Sequence, residues 1–113
     1  AVGPYSQGTR VGQFIFCSGQ GAFDPTTGKL VEGGIREQTR QVIRNIESVL
    51  KAGGSNLRQV VKVTVFIHDW KYFAEMNEVF AEFFGEKPPA RSTIQGSRWP
   101  EGSLLAMEAI AII

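Results

Sequence analysis

The chain has 113 residues, of which 42% are hydrophobic, and its 12 basic and 11 acidic side chains leave a formal net charge of +1. This length and apolar content predict one domain, spanning residues 1–113, that buries a hydrophobic core. The near-neutral charge predicts no broad attraction to nucleic acid or anionic membranes, and no apolar run approaches the ~18 residues of a transmembrane helix.

The single cysteine, Cys17, excludes an internal disulfide. Together with the lack of a recognisable signal peptide, this favours a cytoplasmic location. The opening AVGPYSQG is typical of a stretch from within a domain and not of its first residues, so a short N-terminal strand is expected to be missing.

The first half of the chain predicts a strand, a turn and a helix. FIFCSGQGAF (14–23) begins as a strand, with Phe14, Phe16 and Ser18 on one face. DPTTG (24–28) is typical of a turn. Residues 33–55 predict a helix between two glycine pairs, with its arginines and glutamates on an ordinary solvated face. Its apolar stripe consists of Val42, Ile43, Ile46, Val49 and Leu50.

The second half predicts a strand over 59–70, a helix over 70–86, a strand between the prolines of 87–102 and a last strand over 104–113. The helix has a wide apolar face, typical of a core. That face contains Phe73, Met76, Phe80, Phe83 and Phe84.

The predicted order is β-α-β-α-β-β, with room for a further strand at or before the N-terminus. It favours an α+β fold with two helices on one face of a mixed sheet. Both faces of LLAMEAIAII (104–113) are largely apolar, yet two helices cover only one face of a sheet. A partner subunit is the simplest cover for the other face, and burial within a monomer is the alternative.

Two charged side chains stand out as candidates for chemistry. Arg91, in PPARS, offers a fixed fork for a carboxylate or phosphate, or else pairs with a structural acid. Glu108 lies in an apolar strand, where burial would make it a proton donor. Alternatively, it pairs with an arginine or opens on solvent.

Other reaction classes find little support in the sequence. The spacing of Cys17 and His68 does not indicate a nucleophilic pair, and Cys17 is expected to be a small buried side chain. One histidine and one cysteine argue against a zinc site. GGIRE and SGQG lack the lysine and spacing of a phosphate loop.

Several stretches together resemble the YjgF/Rid family of reactive-intermediate deaminases: GPYSQG, FIFCSGQ, MNEVFAEFF, PPARSTI and MEAIA. The resemblance runs nearly end to end and lacks only the family's usual first strand. It implies a chorismate-mutase-like fold and a homotrimer with a central barrel and ligand clefts between subunits. It also implies hydrolysis of imines and enamines, such as 2-aminoacrylate, to 2-oxo acids and ammonia, without metal or organic cofactor.

The resemblance also implies roles for individual residues. Arg91 corresponds to the arginine that grips the substrate carboxylate, and Tyr5 to a tyrosine lining the pocket. Ser18 and Gly19 correspond to the strand segment that faces the ligand. Two further positions, Asn77 and Thr93, are pocket-associated, and the backbone carbonyl of Thr93 is expected to help hold the attacking water.

One position departs from the family pattern. Members end with a string like EIEAIA, whose first acid handles water or protons, whereas this chain reads AMEAIA. Ala106 replaces that acid, and Glu108 alone remains, on the same strand face but ~6.6 Å away. The resemblance therefore predicts a weak deaminase or none, with Glu108 or backbone groups substituting for the absent acid.

Three functions follow from these observations. The first is an imine or enamine deaminase acting on a small carboxylate-bearing substrate. The second is a trimeric binding protein for 2-oxo or 2-imino acids, which keeps Arg91 but has lost proton transfer. The third, a ribonuclease or translation inhibitor, has little support in a near-neutral chain without a His-His or His-Lys arrangement.

Overall fold

The computed structural model describes residues 5–97, 99 and 101–113. Gly3 and Pro4 of the GPYSQG motif, and any strand preceding residue 5, lie outside the described residues. The helices are α1 (Ile35–Ala52) and α2 (Phe73–Phe84). The strands are β1 (Gly8–Val11), β2 (Phe14–Gln20), β3 (Val60–Ile67), β4 (Ala90–Gln95) and β5 (Leu105–Ile112).

The strands form one mixed sheet in the order β1-β2-β5-β3-β4. The β3–β4 pair is parallel, and the other three pairs are antiparallel. Parallel neighbours need a long crossover, and α2 supplies it between β3 and β4. The predicted α+β fold and element order are confirmed, with β1 as the strand allowed for near the N-terminus.

The core lies between the two helices and one face of the sheet. In β2, Ile15 and Cys17 are buried, whereas Phe14 and Phe16 are 46% and 42% exposed. The same alternation buries every odd-numbered residue from Val63 to Ile67 and from Leu105 to Ala111. We call this the helix-facing side of the sheet; the even-numbered residues of β4 and β5, those of β3 from Lys62 onward, and Phe14 and Phe16 of β2 lie on the open face.

Helix α1 is shorter at both ends than the predicted span 33–55, because glycines flank it. The N–H of Gly34 donates to Glu37 Oε1 at 3.0 Å, which closes the first turn at Ile35. At the other end, Gly53 caps the helix, and Gly54 adopts a φ of 89°, a left-handed conformation that suits glycine. The glycine pairs therefore flank the helix and lie outside it.

The boundary between β3 and α2 is also shorter than predicted. Asp69 accepts a hydrogen bond from the backbone N–H of Lys71 at 2.8 Å and begins a 3₁₀ turn over Trp70–Tyr72. This turn ends β3 at Ile67 and delays α2 to Phe73. Of the predicted α2 core, Phe73 and Phe83 are only partly buried.

The charged face of α1 is a helix–helix contact. Arg36 pairs with Glu75 and Glu78, and Arg40 Nη2 lies 3.1 Å from Glu82 Oε1. These arginines already have carboxylate partners on α2. Part of this face therefore bridges the two helices, and the expectation of an ordinary solvated face without a nucleic-acid site stays a prediction.

The open face of the sheet carries exposed apolar side chains. Besides Phe14 and Phe16, Ile94 is 49% exposed, and Phe66 lies beside it in the ladder. Both helices pack on the helix-facing side, so no helix among the described residues covers the open face. The homotrimer stays a prediction. Within the described part of the chain, neither helix is long and apolar enough to cross a membrane.

Candidate active site

A pocket of about 820 Å³ lies beside an irregularity in the pairing of β2 with β5. The register between these strands shifts between Cys17 and Gln20, where β2 contains one residue more than β5, and pairing resumes at Gln20 with Met107. The following residues, Gly19 to Gly21, line the pocket. The irregularity in β2 thus creates the space for a ligand.

Three residues singled out in the sequence line this pocket, namely Tyr5, Gly19 and Ala106. Ser18 is adjacent but has a different role. Its hydroxyl donates to the carbonyl of Ser6 at 2.6 Å, and its N–H donates to the carbonyl of Gln7 at 2.8 Å. Ser18 therefore holds the N-terminal segment that brings Tyr5 to the pocket.

Gly19 leaves space that any other residue would occupy. A Cβ built on Gly19 meets no atom within 4 Å, and its φ is not in the left-handed region. The backbone conformation therefore does not require glycine here. What the missing side chain provides is free volume in the pocket.

Arg91 lies elsewhere, on the helix-facing side of the edge strand β4. It pairs with Val63 in the parallel ladder, and its guanidinium carbon lies 4.8 Å from the centre of the Phe80 ring and 5.7 Å from that of Phe73. Both distances suit cation–π interactions. Partial burial lowers the pKa of Arg91 from its usual value.

No carboxylate among the described residues pairs with Arg91, since the ion pairs there involve only Arg36, Arg40 and Lys51. The structural-acid alternative for Arg91 thus finds no partner in this part of the chain. Aromatic rings hold the guanidinium in place without using its hydrogen-bonding edge. That edge is available for an anionic ligand.

Asn77 and Thr93 accompany Arg91. Asn77 is four residues after Phe73 and three before Phe80, so it lies on the same side of α2 as both rings. Its Oδ1 is buried and has no hydrogen-bond partner among the described residues. Thr93 follows Arg91 by two residues and shares its strand face. We call Asn77, Arg91 and Thr93 the arginine cluster.

The arginine cluster and the pocket are separate within one protomer. Ala106 pairs with Phe66, and both line the pocket from the open face, whereas Arg91 packs on α2. None of the three cluster residues lines the pocket. The predicted site residues therefore form two groups, and the protomer does not bring them together.

Glu108 belongs to neither group. It is exposed on the open face opposite Thr64, and it does not line the pocket. The expectation that Glu108 is a buried proton donor is not met in the protomer. At the position where the resemblance expects an acid, the pocket presents the methyl group of Ala106.

The aromatic walls of the pocket were not among the predicted site residues. Phe23, Phe66 and Trp99 all line it, and the described lining residues with charged side chains are two acids, Asp24 and Glu101. Phe23 and Trp99 flank turns far apart in the chain. The available signal in the sequence was position, since Phe23 directly precedes the predicted turn at 24–28 and Trp99 directly precedes a proline.

Metal and thiol chemistry find no site among the described residues. They contain no group of three or more His, Cys, Asp or Glu side chains arranged to hold a metal ion. Cys17 is buried as predicted, and burial raises the pKa of its thiol to about 11. A thiol that stays protonated at neutral pH is a poor nucleophile.

Comparisons with known proteins agree with this architecture. The family model described as Endoribonuclease L-PSP matches residues 1–113. A RutC family protein of Pyrococcus abyssi is 53% identical over 110 residues, covering 97% of this chain and 87% of the relative. Human 2-iminobutanoate/2-iminopropanoate deaminase is 41% identical over 112 residues, covering 99% of this chain and 82% of the relative. The structure of E. coli TdcF with bound serine superposes with a TM-score of 0.94 at 38% identity, covering 100% of this chain and 91% of the TdcF chain.

Proposed function

This chain belongs to the endoribonuclease L-PSP family, the YjgF/RutC group, and from that premise we propose that it hydrolyses imines and enamines of small 2-oxo acids. Such substrates, typified by 2-aminoacrylate, carry a carboxylate beside the reacting carbon. The products are a 2-oxo acid and ammonia.

The observation that carries this proposal is the guanidinium of Arg91. It stacks on Phe80 and Phe73, and no carboxylate among the described residues pairs with it. A pre-oriented guanidinium binds a carboxylate through two parallel hydrogen bonds. The names of the human relative and the serine in TdcF both describe small molecules that carry this group.

A complete site requires the arginine cluster and the pocket to meet, and we propose that neighbouring copies supply them. The resemblance implies a homotrimer with clefts between subunits. Two observations support that arrangement: the two groups are separate in the protomer, and the open face carries exposed Phe14, Phe16 and Ile94. Exposed apolar surface of this kind typically marks an interface.

The proposed reaction is a hydrolysis without electron transfer. An enamine first tautomerises to the imine by moving a proton from nitrogen to carbon. The oxygen of water then adds to C2, and a proton from that water reaches the nitrogen. The C2 hydroxyl then passes its proton to the amino nitrogen as the C–N bond breaks, so that C2 becomes the carbon of the oxo group and ammonia leaves. The carbonyl of Thr93 would hold the water, and Arg91 would hold the carboxylate.

Ala106 sets the expected strength of this activity. A general acid or base typically contributes about 10²–10⁴-fold to the rate, and the pocket has a methyl group where that acid is expected. Positioning alone still accelerates a reaction that proceeds readily in water. We therefore propose a slow deaminase whose main contribution is orientation of substrate and water.

A binding role is the second candidate, and the same alanine favours it. Glu108 is exposed and does not line the pocket, so this residue does not replace the missing acid within the protomer. A trimeric protein that binds 2-oxo or 2-imino acids without turning them over would keep Arg91 and tolerate Ala106.

Turnover distinguishes the two functions. A dehydratase generates 2-aminoacrylate in situ, and pyruvate formation is timed with this protein, with heat-denatured protein and without protein. The deaminase proposal requires faster pyruvate release only with the native protein. Equal rates in all three, together with calorimetric binding of 2-oxobutyrate, would support the binding protein instead.

A further inference from the structure

Several aromatic side chains contribute to the walls of the pocket. Phe23, Phe66 and Trp99 line it together with Tyr5 and Leu105. Pockets of roughly 300–1,000 Å³ accommodate drug-sized ligands, and this one measures about 820 Å³. The methylene group of 2-aminoacrylate would contact few of these side chains.

Ala106 continues the apolar lining on the floor of the pocket. It lies opposite Phe66 in the β3–β5 ladder, with both side chains on the open face. A carboxylate at position 106 would lie beside that ring, and an apolar ligand group placed there would remove water from the charge at a large cost. With alanine at position 106, the floor of the pocket leaves free volume, and a ligand bound there removes no water from a charged side chain at that position.

The charged side chains indicate which end of a ligand this pocket accepts. Among its described lining residues, the charged ones are Asp24 and Glu101, both acids. Asp24 accepts hydrogen bonds from the N–H and the hydroxyl of Thr26, which lower the pKa of its carboxyl group. Two negative charges repel a substrate carboxylate, so that group points away from this pocket and toward an arginine.

From these three observations we infer that the pocket selects 2-imino acids with a large apolar side chain, above all an aromatic one. The inference rests on the proposed function and specifies its substrate class. The aromatic side chain lies between Phe23, Phe66 and Trp99, above the methyl group of Ala106. Aromatic pairs add edge-to-face contacts to the burial of apolar surface.

The test compares two imines generated in situ by an amino-acid oxidase, one from phenylalanine and one from alanine. The measured quantity is the ratio of kcat/KM for the aromatic imine to kcat/KM for the small one. We expect a ratio of about ten or more, because apolar pockets discriminate by roughly 10–200-fold per buried group. A ratio of one or less, with both imines turned over, would overturn the inference and leave the proposed function intact.

Pocket variants test the same inference independently. Trp99→Ala removes an aromatic wall, and Ala106→Leu fills the floor, so each should lower the ratio about tenfold. Trp99→Phe is the matched control, because it keeps an aromatic ring and should keep most of the preference. Thermal melts exclude misfolded variants. A ratio unchanged by Trp99→Ala and Ala106→Leu would place the aromatic group outside this pocket.

If neither imine is turned over, the proposed function fails and binding decides the inference. Calorimetry with phenylpyruvate and pyruvate should then give at least tenfold tighter binding of phenylpyruvate, lost in Trp99→Ala. Equal affinities for the two 2-oxo acids would overturn it.

Discussion

The guanidinium carbon of Arg91 lies 4.8 Å from the centre of the Phe80 ring, and Phe73 lies close on the same side. Residues of α2 therefore fix the position of a side chain on β4. The rings pack against the guanidinium and leave its N–H groups free for a planar anion. An arginine held in this way has lost much of its conformational freedom before a ligand arrives, which favours binding.

Arg91→Ala should weaken binding of 2-oxobutyrate about 10- to 100-fold, because a hydrogen bond to a charged group contributes about 1.5–3 kcal/mol. Arg91→Lys keeps the charge but loses the fork, so it should recover only part of the affinity. Isothermal calorimetry provides the measurement, and thermal melts control for folding. An Arg91→Ala protein that binds as well as the parent would make Arg91 structural.

Gly19→Ala should weaken ligand binding while leaving the melting temperature nearly unchanged. The added methyl group meets no protein atom within 4 Å, so it takes only space in the pocket. Gly96→Ala is the matched control, because Gly96 has equally free surroundings and does not line the pocket. If both variants bind 2-oxobutyrate like the parent, the ligand does not approach Gly19.

Ala106→Glu should raise deaminase activity by restoring the acid that the family resemblance expects at position 106. In an otherwise intact site the gain in kcat/KM could approach the ~10²–10⁴-fold contribution of a general acid or base. Ala106 lines open volume, so overpacking should be small. The measurement is kcat/KM for the imine of pyruvate in both proteins.

A stable Ala106→Glu protein that binds 2-oxobutyrate but shows no gain would contradict this prediction. Proton transfer at position 106 would then not limit the rate. The alanine would then indicate a different substrate or a binding role.

The protein should be a trimer in solution, with a mass near three times 12.4 kDa. The exposed apolar side chains of the open face motivate this expectation. Phe16→Asp adds a charge to that face and should shift light scattering toward the monomer, while circular dichroism should stay native-like. A parent protein of monomer mass at micromolar concentration would contradict the trimer and remove the composite site.

The strand patterns could be predicted because burial repeats every two residues. Ile15 and Cys17 are buried and Phe14 and Phe16 are exposed, as alternation alone indicates. The element ends were harder to predict, since they depend on local hydrogen bonds. The Asp69 side chain starting a 3₁₀ turn shortened both β3 and α2 relative to their predictions.

The site could be predicted only in part, because its geometry depends on pairing between distant strands. Alternation places Ala106 and Glu108 on one face, but it does not say that only Ala106 lines a pocket. Likewise, the side of the sheet on which Arg91 lies follows from its parallel pairing with Val63, a contact that spans the whole of α2. Local sequence does not specify such a register.

The central claim is that this protein hydrolyses imines with Arg91 as the carboxylate anchor. The most direct test is the rate of pyruvate release from 2-aminoacrylate, measured side by side with the parent, Arg91→Ala and no protein. We predict that the parent accelerates pyruvate release. At equal concentrations of folded protein and subsaturating substrate, the increase above background with Arg91→Ala should be at least about tenfold smaller than with the parent. A parent that gives no acceleration, or an Arg91→Ala protein as fast as the parent, would contradict the claim.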